Sequence, residues 1–198
     1  QNDTSLVDVA GLGFVRVLPK SNLAVSPVPA YLSLGATAIA LAGTTLAVME
    51  MDSKRLSLYD LATPAAPAVL GRLALPQTAR GLRIEGSTLY AFDHDTFQVV
   101  DLADVKNPKL LFDVGQSVVG RDVFPNVESV WFANKQLLVP GAGLNGGKGV
   151  NVFDVSDPAK PVLVPNGTCG PNLDMRFMVR VGKRLIIANE HTLAFNEL

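Results

Sequence analysis

Apolar residues in this chain fall in short bursts, and glycine-containing or polar turns separate the bursts at nearly regular intervals. Thr37 to Gly43 followed by Thr45 to Met51 reads as two strands about a tight turn. The same pattern returns as Arg80 to Gly86 with Ser87 to Phe92, as Glu128 to Asn134 with Lys135 to Val139, and as Arg176 to Gly182 with Lys183 to Ala188. Val, Ile, Leu, Phe and Tyr fill the runs, while Gly, Asn, Asp and Pro fill the gaps, as expected for strands and their turns. The turns are anchored at Gly43, Gly86, Asn134 and Gly182, at spacings of 43, 48 and 48 residues.

A third strand follows in each unit, at Leu56 to Leu61, Thr96 to Leu102, Val150 to Val155 and Thr192 to Asn196. After three of these the chain repeats a phrase: Asp60-Leu61-Ala62-Thr63-Pro64-Ala65-Ala66-Pro67, then Asp101 to Pro108, then Asp154 to Pro161. Each copy sets a proline seven residues after the aspartate, and a fourth run follows it, at Ala68 to Leu73, Lys109 to Val114 and Pro161 to Val164. Asp, Ser, Asn and Thr in such a phrase accept hydrogen bonds from nearby backbone N–H groups, and proline enters an outer strand where its missing donor costs least. The phrase therefore reads as a structural turn.

Four short antiparallel strands at a period in the forties predict the blade of a β-propeller, a unit that buries its faces only by stacking on copies of itself. The expectation is an all-β, single-domain propeller of four blades, with units at about 30–76, 77–122, 123–172 and 173–198 plus 1–20. The fourth unit has three strands, and Gly13-Phe14-Val15-Arg16-Val17-Leu18-Pro19 offers an outer strand that would close the ring without an exposed edge. Ser5-Leu6-Val7-Asp8-Val9 competes for the same unit as the end of a third strand, which leaves open a partial ring completed by another subunit.

Composition narrows the setting. Hydrophobic residues make up 48% of the 198 residues and charged residues 18%, as in a core-rich domain rather than a disordered tail. Seventeen Lys and Arg against 18 Asp and Glu give a net charge of −1, with no basic run to neutralise many phosphates, so nucleic acid is not an expected partner. The single cysteine, Cys169, excludes an intrachain disulfide and a thiolate metal cluster. The apolar stretch from Leu23 to Met49 is interrupted by Pro27, Pro29, Gly35 and Gly43 and predicts no transmembrane helix. A start at Gln1 is what a processed secreted protein or a trimmed chain would equally show, and Asn2-Asp3-Thr4 and Asn166-Gly167-Thr168 fit the short glycosylation pattern.

Gln98-Val99-Val100-Asp101-Leu102, and above all Val150-Asn151-Val152-Phe153-Asp154-Val155-Ser156-Asp157-Pro158-Ala159-Lys160-Pro161-Val162, resemble the LVIVD repeat of bacterial and archaeal surface propellers. The resemblance covers about residues 30 to 198 and is best in the third unit, whereas the Trp-Asp and Gly-His signatures of WD40 blades are absent. It implies a secreted, periplasmic or cell-surface propeller and brings no catalytic residues with it.

Candidate chemistry falls on the turns between second and third strands, which share one rim of a propeller. They are Glu50-Met51-Asp52-Ser53-Lys54-Arg55, Asp93-His94-Asp95 and Asn189-Glu190-His191. Asp93, His94, Asp95, Glu190 and His191 have the donor chemistry for a metal or an acid–base pair, but polar residues also belong in hairpin turns. The third turn, Pro140 to Gly149, is glycine-rich and carries Asn145 and Lys148. It lacks the Lys-Ser or Lys-Thr pair and the following helix of a phosphate loop, and reads as a long hairpin for contacting a partner. Before each first strand stand Thr37, Arg80, Glu128 and Arg176, a possible ring of paired charges or a grip for an acidic group. No Gly-x-Ser-x-Gly, His-Glu-x-x-His or Cys-His signature occurs. The sequence thus predicts a non-catalytic, cofactor-free module that binds a protein partner outside the cytoplasm, as a scaffold or an extrinsic subunit of an envelope or membrane assembly. The alternative is a metal-dependent or small-ligand enzyme with its site on the rim.

Overall fold

A computed structural model describes residues 5–10, 14–19, 30–32, 35–93, 96–114, 130–142, 148–164, 177–181, 184–188 and 193–197. Among them every regular element is a strand, and every strand pairing given is antiparallel. The first three strands, β1 (Ser5–Ala10), β2 (Phe14–Pro19) and β3 (Ala30–Tyr31), make one sheet in that order. Three four-stranded sheets follow: β4 (Ala36–Ala42) to β7 (Ala68–Ala74), with β5 (Thr45–Glu50) and β6 (Arg55–Asp60) between; β8 (Gly81–Glu85), β9 (Thr88–Asp93), β10 (Thr96–Asp101) and β11 (Lys109–Val114); and β12 (Trp131–Ala133), β13 (Gln136–Ala142), β14 (Lys148–Asp154) and β15 (Val162–Leu163). The last sheet is β16 (Phe177–Val181), β17 (Arg184–Ala188) and β18 (Leu193–Glu197). In all five, strands adjacent in sequence are adjacent in space, the order a repeated meander imposes.

The chain forms two compact units, Gln1–Ala91 with Val100–Leu110, and Phe92–Val99 with Leu111–Leu198. In the first, the sheet β4–β7 is packed on both faces. Leu46 and Val48 of β5 and Tyr59 of β6 join Val15 and Val17 of β2, Ala36 and Leu61 in one apolar cluster. The alternate residues Ala47 and Met49 of β5, with Leu56 and Leu58 of β6, join Leu75, Ala79, Leu89, Ala91, Val100 and Leu102 in another. Because side chains alternate across a strand, a run such as Leu46-Ala47-Val48-Met49 stays buried throughout only when both faces are covered. Each fully buried Leu or Met contributes about 1.5–3 kcal/mol. In the second unit Phe97 stacks on Phe92 with ring centroids 5.3 Å apart, and meets Phe153 at 5.7 Å and Phe112 at 6.0 Å.

The repeated phrase joins third to fourth strands as a doubly capped turn. Asp60, Asp101 and Asp154 accept through Oδ1 from the backbone N–H of Ala62, Ala103 and Ser156 at 2.8–2.9 Å. Three residues further on, the backbone carbonyls of Thr63, Asp104 and Asp157 accept from Ala66, Asn107 and Lys160. The residue after each first aspartate reaches back to the opening hairpin: Leu61 to Thr44 O, Leu102 to Ser87 O, and Val155 to Lys135 O. Those hairpins turn at Gly43, Gly86 and Asn134, all with left-handed φ, the conformation glycine and asparagine tolerate best.

Two expectations are corrected. Phe14–Pro19 is not the outer strand of the last unit: it is the central strand of its own sheet, with β1 on one edge from Ser5↔Pro19 to Ala10↔Phe14 and β3 on the other at Arg16↔Tyr31 and Val17↔Ala30. A strand has two edges, so with both occupied β2 is unavailable to β18. The described strands accordingly make five sheets, three of them four-stranded, rather than four blades. The glycine-rich hairpin is also shorter than its composition indicated. The β13–β14 ladder continues through Pro140↔Val150 and Gly141↔Gly149 to Ala142↔Lys148.

Candidate functional site

The rim turn the structure describes in full is the one between β5 and β6. The last residue of β5, Glu50, lies opposite the first of β6, Arg55, and Val48 lies opposite Ser57. Alternation puts Glu50, Arg55 and Ser57 on one face, continuing the row of Leu46, Val48 and Tyr59. Glu50 is buried, and a buried carboxylate needs donors. It has three: Ser57 Oγ at 2.8 Å on Oε1, with Arg55 Nη2 at 2.5 Å and Ser53 Oγ at 3.1 Å on Oε2. Burial pushes the Glu50 carboxyl up, but the hydrogen bonds from Arg55, Ser57 and Ser53 and the Arg55 charge outweigh it and hold the group below 4.5.

The turn itself is tied on two sides. Met51 N–H donates to Gly35 O at 3.0 Å, just ahead of β4. Lys54, at φ +48°, accepts on its carbonyl from Leu75 N–H at 2.8 Å, and its Nζ donates to Pro76 O at 3.1 Å. Thr37 on β4 donates to Ala79 O at 2.7 Å, fastening the far end of the same link to β8. Met51, Asp52 and Ser53 remain exposed at the tip.

Three of the other sequence candidates lie partly within view. Arg80 is exposed, immediately before β8; Asp93 ends β9, half-buried; and Lys148 opens β14 opposite Ala142. His94, Asp95, Glu128, Asn145, Arg176, Glu190 and His191 lie outside the described residues. Among the described residues no group of three His, Cys, Asp or Glu is placed to hold a metal ion, and no helix is long and apolar enough to cross a membrane.

Two features escaped the reading of the sequence. Ser57 and Gln98 are fully buried polar residues at the same place in consecutive repeats, three before the phrase aspartate. Their signal was there, a lone polar residue inside an apolar run. The other feature is the fourth strands, which carry large apolar side chains in the open: Val69 on β7, Leu110 and Leu111 on β11, and Val162 on β15. Nothing in an apolar strand residue distinguishes an outer edge from a core.

No protein-family model matches the chain, and no curated protein does. Solved structures do. The computationally designed Ika8 protein superposes with a TM-score of 0.66 at 13% identity, over 98% of this chain and 56% of that one. The WD40 β-propeller domain of Doa1 gives 0.60 at 14%, over 99% and 62%. PorZ, an essential bacterial surface component of the type-IX secretion system of Porphyromonas gingivalis, gives 0.60 at 14%, over 100% and 26%. The chain thus spans just over half the length of Ika8 and about three-fifths of the Doa1 domain. At these identities the likeness is one of fold, and the fold is that of β-propeller domains.

Proposed function

We propose that the chain is a non-catalytic β-propeller module that binds a protein partner outside the cytoplasm, as a scaffold or extrinsic subunit of an envelope assembly. The observation that carries the reading is that each of the three four-stranded sheets exposes a large apolar side chain on its fourth strand: Val69 at 49%, Leu110 at 37% and Val162 at 59%. An outer strand also offers backbone groups along its free edge, the feature used when a partner adds a strand. Resemblance to the LVIVD repeat and the surface location of PorZ support the extracytoplasmic setting. Arg80, Glu128 and Arg176 ahead of the first strands, with Asn145 and Lys148 of the glycine-rich hairpin, are the polar contacts this reading offers to that partner. The test is capture from a native envelope fraction by the wild-type chain and by the triple variant Val69→Lys, Leu110→Lys, Val162→Lys. Loss of the captured protein in the folded variant supports the reading; equal capture sinks it. Elemental analysis of the same wild-type preparation tests the metal-dependent form of the alternative rim enzyme built on Asp93, His94, Asp95, Glu190 and His191, for which a stoichiometric metal is expected.

A second reading is favoured by the occupied edges of β2: the ring is completed by strands from another polypeptide rather than by β2 itself. The coverage of 56% of Ika8 fits it.

A further inference from the structure

We propose that the β5–β6 turn is a latch, closed by Glu50, that fastens both connections of its sheet at once. The chain enters the sheet past Gly35 and leaves it through Leu75 and Pro76, and both passages are bonded to residues 51–54. Met51 N–H holds Gly35 O; Lys54 O and Nζ hold Leu75 N–H and Pro76 O.

The turn does not hold this shape unaided. Lys54 sits at φ +48°, in the left-handed region that a non-glycine residue adopts only at a cost. Its own bridging bond, Lys54 N–H to Met51 O, is long at 3.3 Å. What closes the turn is the carboxylate beneath it, which takes Ser53 from the turn and Arg55 and Ser57 from the outgoing strand. Removing an acceptor shared by three donors lets residues 51–54 relax, and the two passages then lose their anchor together. Local opening in proteins proceeds in such cooperative pieces. A partner that grips the exposed Met51 and Asp52 would press on both connections through this one turn. The latch stands independently of the protein-binding reading, because it is measured on the free chain.

The experiment is amide hydrogen exchange, resolved by residue, on wild type, Glu50→Gln and Ser57→Ala. The expected result is that the Met51, Lys54 and Leu75 amides lose protection by the same factor, about tenfold in Glu50→Gln and less in Ser57→Ala. The amides of Leu61 and Leu102, bonded to Thr44 O and Ser87 O away from the turn, keep theirs. If Met51 and Lys54 exchange faster while Leu75 is unchanged, the link is held by the packing of Leu75 and Ala79 and the proposal falls. It falls also if protection is unchanged everywhere, or if Leu102 loses as much as Leu75 in both variants.

Discussion

Glu50 is a residue whose ionisation is bound to the fold. Its folded value lies below the 4.5 of an unfolded glutamate, so its contribution is fully present above about pH 4.5 and fades as the pH falls through the lower folded value. Arg55 keeps 42% of its side chain in solvent, so screening trims the pair well below the worth of a buried one. Glu50→Gln keeps one amide oxygen but loses the charge and the second acceptor, so it should cost about 1 kcal/mol at neutral pH. The gap from wild type in urea titrations should narrow as the solution is acidified below pH 4.5. A gap independent of pH would assign the loss to packing instead.

Two other residues carry sharp expectations. A Cβ on Gly71 would stand 2.3 Å from Val105 O and 3.0 Å from Lys106 O, backbone atoms that cannot swing aside. Gly71→Ala should lower stability by more than about 2 kcal/mol in chemical denaturation, with no change of charge or polarity to blame. Thr96 Oγ1 is buried and makes no hydrogen bond. Thr96→Val keeps the shape and removes the orphan, so it should be neutral or stabilising by about 1 kcal/mol in the melting temperature analysis. A clear loss would show that the hydroxyl has found a partner such as an ordered water.

At the scale of the element, the capped phrase explains how a chain with so few charges closes its outer turns. Asp154 is held below its ordinary value chiefly by the Ser156 backbone N–H, and Asp104 chiefly by the Asn107 side chain and the Lys106 N–H. Asp101→Ala should cost about 1 kcal/mol, whereas Asp101→Asn, which keeps an acceptor for Ala103 N–H, should recover most of it in thermal melts. The strands and this turn were legible in the sequence because both are local: alternation, turn residues and an Asx cap act over a few positions. The third strands begin at Arg55, Thr96 and Lys148, within two residues of where the apolar runs place them. The rim network was half legible. Glu50 and Arg55 stood out as turn charges, but that they converge on Ser57 depends on the β5–β6 register.

For the molecule as a whole, solution mass tests whether a second copy of the chain completes the ring. Light scattering on the purified chain should give a mass above 21.0 kDa if the ring is completed between copies, and a mass of 21.0 kDa would rule that completion out. The lysine substitutions at Val69, Leu110 and Val162 lie at exposed positions and should each leave the unfolding free energy within about 0.5 kcal/mol of wild type.

The sequence by itself determined the all-β class, the period, the hairpin turns at Gly43, Gly86 and Asn134 and the repeated phrase between third and fourth strands, because each is written in residues close along the chain. Only the tertiary structure decided that Phe14–Pro19 lies between β1 and β3, that Gly71 meets the backbone of Val105, and that Glu50 gathers Ser53, Arg55 and Ser57. A strand's propensity says that it will pair. It does not say with which edge, since that choice is settled by contacts between residues far apart in the chain.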